Sequence, residues 1–209
     1  MIEQLATMFT TLLIVIDPPG MVPIFSALTR GGDARYRRRM ALRGFALATG
    51  ILLFFVMIGD VLLAALGISL SAFRITGGIL LFLLAIDMVF ARQSGLRSTT
   101  VREQEEAQYR EDISVFPLAF PLLAGPGALT TVLLLSGQTR GDPVLFAAML
   151  VTLLVVLAIT LGALLQAPLI MRALGETGAN VVDRLLGLIL AALAVQFVID
   201  GLRQVMASS

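Results

Sequence analysis

Ile14-Val15-Ile16-Asp17-Pro18-Pro19-Gly20-Met21 lies in the middle of an apolar segment that runs from about Leu5 to Leu28. A membrane-crossing helix is least willing to break at its centre. Proline removes a backbone donor and clashes with the carbonyl one turn back, and glycine weakens the helix further. Backbone freed at membrane depth is tolerated only where it is buried in protein or lines a cavity. A second interruption, Gly125-Pro126-Gly127, sits in the middle of another apolar segment. Two such breaks at corresponding places in two halves point to the substrate site of a transporter.

Composition agrees with a membrane setting. Of the 209 residues, 58% are hydrophobic, and the mean hydropathy is +0.96. Several runs pass the roughly 18-residue threshold for a spanning helix. No polar stretch is long enough for a second domain, so residues 1–209 read as one transmembrane domain. The chain has no His, Cys, Trp or Lys; every basic side chain is Arg. That excludes the common zinc sites, Fe–S clusters, His-bound haem and a Cys nucleophile. It also excludes a Ser-His-Asp triad and a Lys Schiff base. The expectation is no enzyme, no cofactor and no metal. A net charge of +1 offers nothing to nucleic acid. The first segment lacks a basic n-region and carries the Asp17–Gly20 break, so it does not read as a cleavable signal peptide.

Six spans are predicted, at about Leu5–Leu28, Met40–Leu66, Ser71–Ala91, Val115–Gly137, Pro143–Leu165 and Asp183–Met206. Arginine crowds the first connection (Arg30, Arg35, Arg37, Arg38, Arg39, Arg43), the third (Arg92, Arg97, Arg102, Arg110) and the fifth (Arg172, with Arg184 opening the next helix). Only Arg74, Arg140 and Arg203 fall on the other side. Short Arg-rich loops stay in the cytoplasm, so both termini are predicted periplasmic. The connection Arg92–Asp112 mixes both charge signs and reads as a solvated linker, with a short surface helix around Thr100–Tyr109 as an option.

The two halves repeat. Pro19-Gly20 aligns with Pro126-Gly127 at an offset of 107 residues, and Arg74 to Leu80 aligns with Arg184 to Leu190 at an offset of 110. Three spans per copy force the second copy to enter from the opposite side. The predicted fold is an all-α membrane bundle of two inverted three-helix repeats. Repeat one is about 1–92, the linker about 93–112 and repeat two about 113–209. The first and fourth helices are expected to break at mid-membrane.

Asp17 before Pro18 reads as an N-cap followed by proline at the first helical position. Gly125 before Pro126 is a weaker version of that start. A half-helix N-terminus presents unpaired N–H groups and partial positive charge, which suit a carboxylate. The preceding half-helix ends in unpaired carbonyls, which suit an ammonium group or a small cation. Two breaks brought together can hold both poles of a zwitterion, with Thr10, Thr11, Thr130, Thr131 and Ser136 as flanking hydroxyls. Burying the Asp17 charge at mid-membrane costs at least ~2.5–3.5 kcal/mol. It therefore calls for an ammonium partner, a coupling H⁺ or Na⁺, or capping by its own helix. Structurally, prolines and glycines can also serve only as kinks, and Gly77, Gly78 and Gly187 as points of close helix contact.

The remaining charges read more plainly. Asp87 near Arg92, Asp200 near Arg203, and Asp60 sit towards span ends, where they reach interfacial water or pair locally. Arg74 and Arg184 can snorkel to the interfaces; alternatively Arg74, with Thr76 and Gly77, lines a permeation path. Gln196 reads as an interhelical hydrogen bond.

Four blocks carry a family resemblance: Ile16 to Phe25, Arg74 to Phe82, Phe116 to Gly127, and Arg184 to Ala192 with Val195-Gln196-Phe197. Together they span essentially the whole chain. The chain resembles the MarC family of bacterial inner-membrane proteins, also classed as neutral amino acid transporters and distantly grouped with LysE-type exporters. The resemblance implies six helices in the inner membrane and transport of small neutral amino acids such as glycine and alanine. Met21 departs from the family, in which a polar residue, often Asn, is common after the glycine. The expected substrate-binding set is Asp17, Pro18, Pro19, Gly20, Gly125, Pro126, Gly127, Thr130, Thr76 and Gly77. The expected mechanism is secondary transport by alternating access, since no nucleotide motif is present. The alternatives are an exporter of larger apolar compounds and a structural membrane protein.

Overall fold

Long apolar stretches with few breakers satisfy their backbone within each segment by winding into helices. The computed structural model describes residues 2–90, 112–139 and 141–208, and every regular element among them is helical. The order is α1 (Ile2–Ile16), α2 (Pro18–Leu28), α3 (Ala34–Ala65), α4 (Leu70–Phe90), the irregular wide-turned α5 (Ser114–Leu123), α6 (Pro126–Thr139), α7 (Pro143–Leu165) and α8 (Ala167–Ser208).

Side-chain caps start several of these helices. Asp33 accepts from the Tyr36 N–H at 2.6 Å to open α3. Asp142 accepts from the Val144 and Leu145 N–H groups at 2.9 and 3.1 Å, with Pro143 at the first helical position of α7. Each cap satisfies first-turn donors that have no partner within the helix.

Among the described residues, five stretches are long and apolar enough to cross a bilayer: Ile2–Leu28, Ala34–Gly59, Leu70–Phe90, Pro143–Leu165 and Thr177–Ala207. The pair Ser114–Leu123 and Pro126–Thr139, bent by 55°, supplies a sixth. The last span starts at Thr177 rather than Asp183, just after a kink that divides α8. Its one non-helical residue is Gly175 at φ 64°, ψ 177°, a backbone state open to glycine alone. α5 is also less regular than a half-helix. Phe116 and Phe120 are extended, each before a cis-bonded proline, and the bonds Leu118 N–H to Ile113 O and Ala124 N–H to Ala119 O close wide turns. A residue before proline avoids the α conformation, so the doublets Phe116-Pro117 and Phe120-Pro121 are the signal in the sequence.

α4 and α8 form the most extensive pair. They run antiparallel: Gly201 meets Ile75 and Ser71, Gly78 meets Ala194 and Val198, and Gly187 meets Met88 and Val89. A methyl group on Gly78 would lie 2.7 Å from the Ala194 carbonyl oxygen, and one on Gly187 would lie 2.7 Å from Met88 Cβ. Small residues thus let the two backbones touch, the usual basis of helix association in lipid. Large apolar residues such as Phe54, Met57 and Val61 face outward, while Thr131, Ser136 and Asp17 are enclosed. Ser136 donates to the Val56 carbonyl at 3.2 Å and ties α6 to α3.

Several sequence expectations fall elsewhere. Arg92 to Glu111, including the surface helix at Thr100–Tyr109, lie outside the described residues, as do Arg140 and the side chain of Asp60. Gln196 does not bridge helices; it donates to Asp200 Oδ1 at 2.8 Å within α8, since residues four apart share a face. Arg184 is exposed, whereas Arg74 is buried near the start of α4.

Candidate functional site

Asp17 is the one residue between α1 and α2, and it is wholly enclosed. Its backbone is left-handed, at φ 50° and ψ 68°, a state that Asp and Asn tolerate better than other side chains. Its Oδ1 accepts from the Gly20 N–H at 3.1 Å, so the carboxylate caps α2. The helical ladder carries on around it: the Asp17 N–H reaches the Leu13 carbonyl at 2.9 Å, and the Met21 N–H reaches the Asp17 carbonyl at 3.1 Å. α1 and α2 therefore stay within one span. Pro18 and Pro19 have no N–H, which leaves the carbonyls of Ile14 and Val15 without an α-helical donor. A buried carboxylate and acceptor-rich backbone thus share this point of the chain.

The second interruption is built differently. Ala124 and Gly125 separate α5 from α6, and the chain bends by 55° there. A side chain at position 125 would overlap the Pro121 carbonyl oxygen, so only glycine fits. Glycine also has no side chain with which to cap, and the first-turn N–H groups of α6 lack the capping that Asp17 gives α2. One turn along, Thr131 is fully buried and its hydroxyl has no hydrogen-bond partner. Three other buried threonines donate to the carbonyl one turn back: Thr29 to Phe25 at 2.8 Å, Thr139 to Leu135 at 2.9 Å and Thr160 to Val156 at 2.8 Å. Thr49 on α3 is the other enclosed hydroxyl without a partner among the described residues.

The last turn of α1, just before Asp17, packs against the start of α6. A methyl group on Gly127 would lie 3.6 Å from Val15 Cγ1 and 2.8 Å from Leu81 Cδ2. α1, α4 and α6 therefore converge where α6 begins. Gly77 on α4 faces Thr130, whose methyl would collide with any side chain at position 77. Asp17, Pro18, Gly20, Gly125, Gly77 and Thr130 are buried, and Pro126 and Gly127 are half-buried. Pro19 is exposed on the outer edge of α2. Thr76 lies apart from this group: it is exposed, and its hydroxyl donates to the Ala72 carbonyl at 3.1 Å. Of the flanking hydroxyls, Thr11 is buried with Thr130, Thr131 and Ser136, and Thr10 is exposed.

A cleft of about 350 Å³ opens farther along α2, lined by Pro23, Ser26, Ala27 and Arg30 with Met171 and Asn180 of α8. It lies along the α2 edge that begins at Pro19, not at the junction of Val15 and Gly127. Pro23 has no N–H either, so the Pro19 carbonyl on this edge also lacks its helical donor. Among the described residues no group of three or more acidic side chains could hold a metal ion.

Arg43 of α3 pairs with Asp112 at 2.9 Å. The side chain and backbone N–H of Ser114 donate to Asp112 and, with Arg43, hold its carboxyl below the usual carboxylate range. The pair fastens α3 to the start of α5.

The MarC family model, described as an integral membrane protein family, matches residues 2–206. A UPF0056 membrane protein of Archaeoglobus fulgidus is 41% identical over 96% of this chain and 92% of its own length. The UPF0056 membrane protein YvbG of Bacillus subtilis is 36% identical over 97% and 96%, and the UPF0056 inner membrane protein YhgN of Escherichia coli is 35% identical over 92% of each. No solved structure matches the chain. With spans of membrane length throughout and a family match from end to end, the chain belongs to the MarC family of integral, multi-pass membrane proteins.

Proposed function

We propose that this protein is a secondary transporter of small neutral amino acids, working by alternating access across a cytoplasmic membrane. The observation that carries the reading is the approach of Val15, two residues before Asp17, to Gly127 at the start of α6. One side offers the enclosed Asp17 carboxylate and the donor-free carbonyls of Ile14 and Val15, which suit an ammonium group. The other offers the uncapped α6 terminus and the unpaired Thr131 hydroxyl, which suit a carboxylate. A zwitterion satisfies both at once.

Two inverted three-helix repeats, broken in their first helices, are part of this reading. Part of the packing supports them. Exchanging α1 with α5, α2 with α6, α3 with α7 and α4 with α8 turns the pair α3–α5 into α7–α1, α4–α6 into α8–α2 and α3–α6 into α7–α2; α4–α8 and α3–α7 map onto themselves. On this arrangement the breaks lie at mid-membrane, both termini lie outside, and the α2 cleft opens to the cytoplasm as the way to Pro19. The Escherichia coli relative is named an inner membrane protein, in keeping with that location. Energy would come from an H⁺ or Na⁺ gradient or from exchange. The cleft is larger than glycine requires, which favours export of bulkier apolar compounds as a second reading; that reading predicts that Asp17→Asn is harmless.

The test is uptake of labelled glycine and alanine by proteoliposomes, with and without Na⁺ and pH gradients. Saturable uptake that Gly127→Leu abolishes supports the proposal. Uptake no greater than in empty liposomes for every small amino acid sinks it.

A further inference from the structure

Arg74 is more than nine-tenths buried, yet it has no hydrogen bond and no ion pair among the described residues. Its nitrogens are not among the fully enclosed polar atoms that lack a partner, so the tip of the side chain is not wholly enclosed. A packed arginine stem ending in an uncompensated guanidinium is an unfavourable arrangement unless an anion completes it. Its counterpart by sequence repeat, Arg184, is exposed, so Arg74 is not simply a position the fold requires to be basic and buried.

Its place on α4 gives the missing partner a direction. Leu81 meets the first turn of α6 at Gly127, and Gly77 meets Thr130 one turn farther along. Arg74 is the next position on the same buried face of α4. Along the α4–α6 seam, groups able to donate therefore follow each other at intervals of about one helical turn, ~5 Å. They are the α6 first-turn N–H groups and the Thr130 hydroxyl, with Arg74 following on the same buried face of α4. The planar fork of arginine matches a carboxylate with two parallel hydrogen bonds.

We propose that Arg74 is an oxyanion-binding residue that receives the carboxylate of the cargo at the far end of this seam, before it reaches the α6 terminus. The assignment rests on the zwitterion reading above. It adds a second station for the carboxylate, and it makes the free carboxylate essential to recognition.

The experiment compares wild type, Arg74→Gln and Arg74→Lys in detergent, measuring equilibrium binding of glycine and of glycinamide, which has no carboxylate. Glycine affinity should fall about tenfold or more in Arg74→Gln and by less in Arg74→Lys. Glycinamide should bind both variants as it binds wild type. Without ligand, Arg74→Gln should melt no lower than wild type, since the guanidinium has no hydrogen bond or ion pair to lose. Should Arg74→Gln not fold, the Arg74→Lys comparison decides: glycine affinity within twofold of wild type overturns the proposal. Equal glycine affinity in wild type and Arg74→Gln overturns it while leaving the transport reading standing. No glycine binding by wild type overturns both. A lipid phosphate is the other source of an oxyanion. Stabilisation by phosphatidylglycerol that Arg74→Gln removes, with glycine binding unchanged, assigns the guanidinium to lipid and overturns the carboxylate role.

Discussion

Replacing Asp17 by Asn, Gly and Ala separates its two duties. The residue caps α2 through the 3.1 Å bond to the Gly20 N–H and holds a left-handed backbone at φ 50°. Asn caps a helix as well as Asp and tolerates the same backbone, so Asp17→Asn should change stability by no more than about 0.5 kcal/mol. Gly loses the cap but suits the left-handed state, at about 0.5 kcal/mol. Ala loses the cap, worth about 1 kcal/mol, and adds about 1 kcal/mol for the backbone, about 2 kcal/mol together. Ligand affinity should rank differently. All three variants remove the charge facing the ammonium group, and a hydrogen bond to a charged partner is worth ~1.5–3 kcal/mol, or roughly ten- to a hundredfold in Kd. Unfolding in mixed micelles gives the first series and equilibrium glycine binding the second. If Asp17→Asn destabilises as much as Asp17→Ala, capping and backbone are not what the residue supplies. If it binds glycine like wild type, the ammonium assignment is wrong.

Gly78→Ala and Gly187→Ala should each lower stability by about 1–3 kcal/mol, because the added methyl group meets main-chain or Cβ atoms of the facing helix. Gly162→Ala in α7, where nothing lies within 4 Å, should raise it by about 0.5–1 kcal/mol; thermal melting of the three compares them directly. Thr131→Val keeps the shape and removes the enclosed hydroxyl without a partner, so it should stabilise the empty protein by about 1 kcal/mol and weaken glycine binding. The Asp112 carboxyl is held low by Ser114 and Arg43, so its contribution is present above the ordinary carboxylate pKa and is lost as pH falls through the lowered folded value. Melting temperature against pH should therefore decline less steeply on the acid side in Asp112→Asn, an effect kept small by the exposure of the pair.

Much of this molecule follows from local chemistry. A run such as Pro143–Leu165 has no way to satisfy its backbone in lipid except as a helix, so its ends were readable to the residue. The doublet Pro18-Pro19 and the lone side-chain-free cap at Gly125 likewise act on their own neighbours, and their disruption of helical bonding needs no tertiary context. Where a single turn decides, spacing says less: Phe116 and Phe120 make α5 irregular, and Gly175 kinks α8 before the last span. Packing alone decided the rest. That Gly127 would meet Val15, that Gly77 faces Thr130 while Thr76 turns outward, and that Arg74 is enclosed and Arg184 is not all depend on which helix surfaces face each other. In an apolar solvent nearly every face of such a helix is equally hydrophobic, so its pattern of residues carries little information about the partner it will choose.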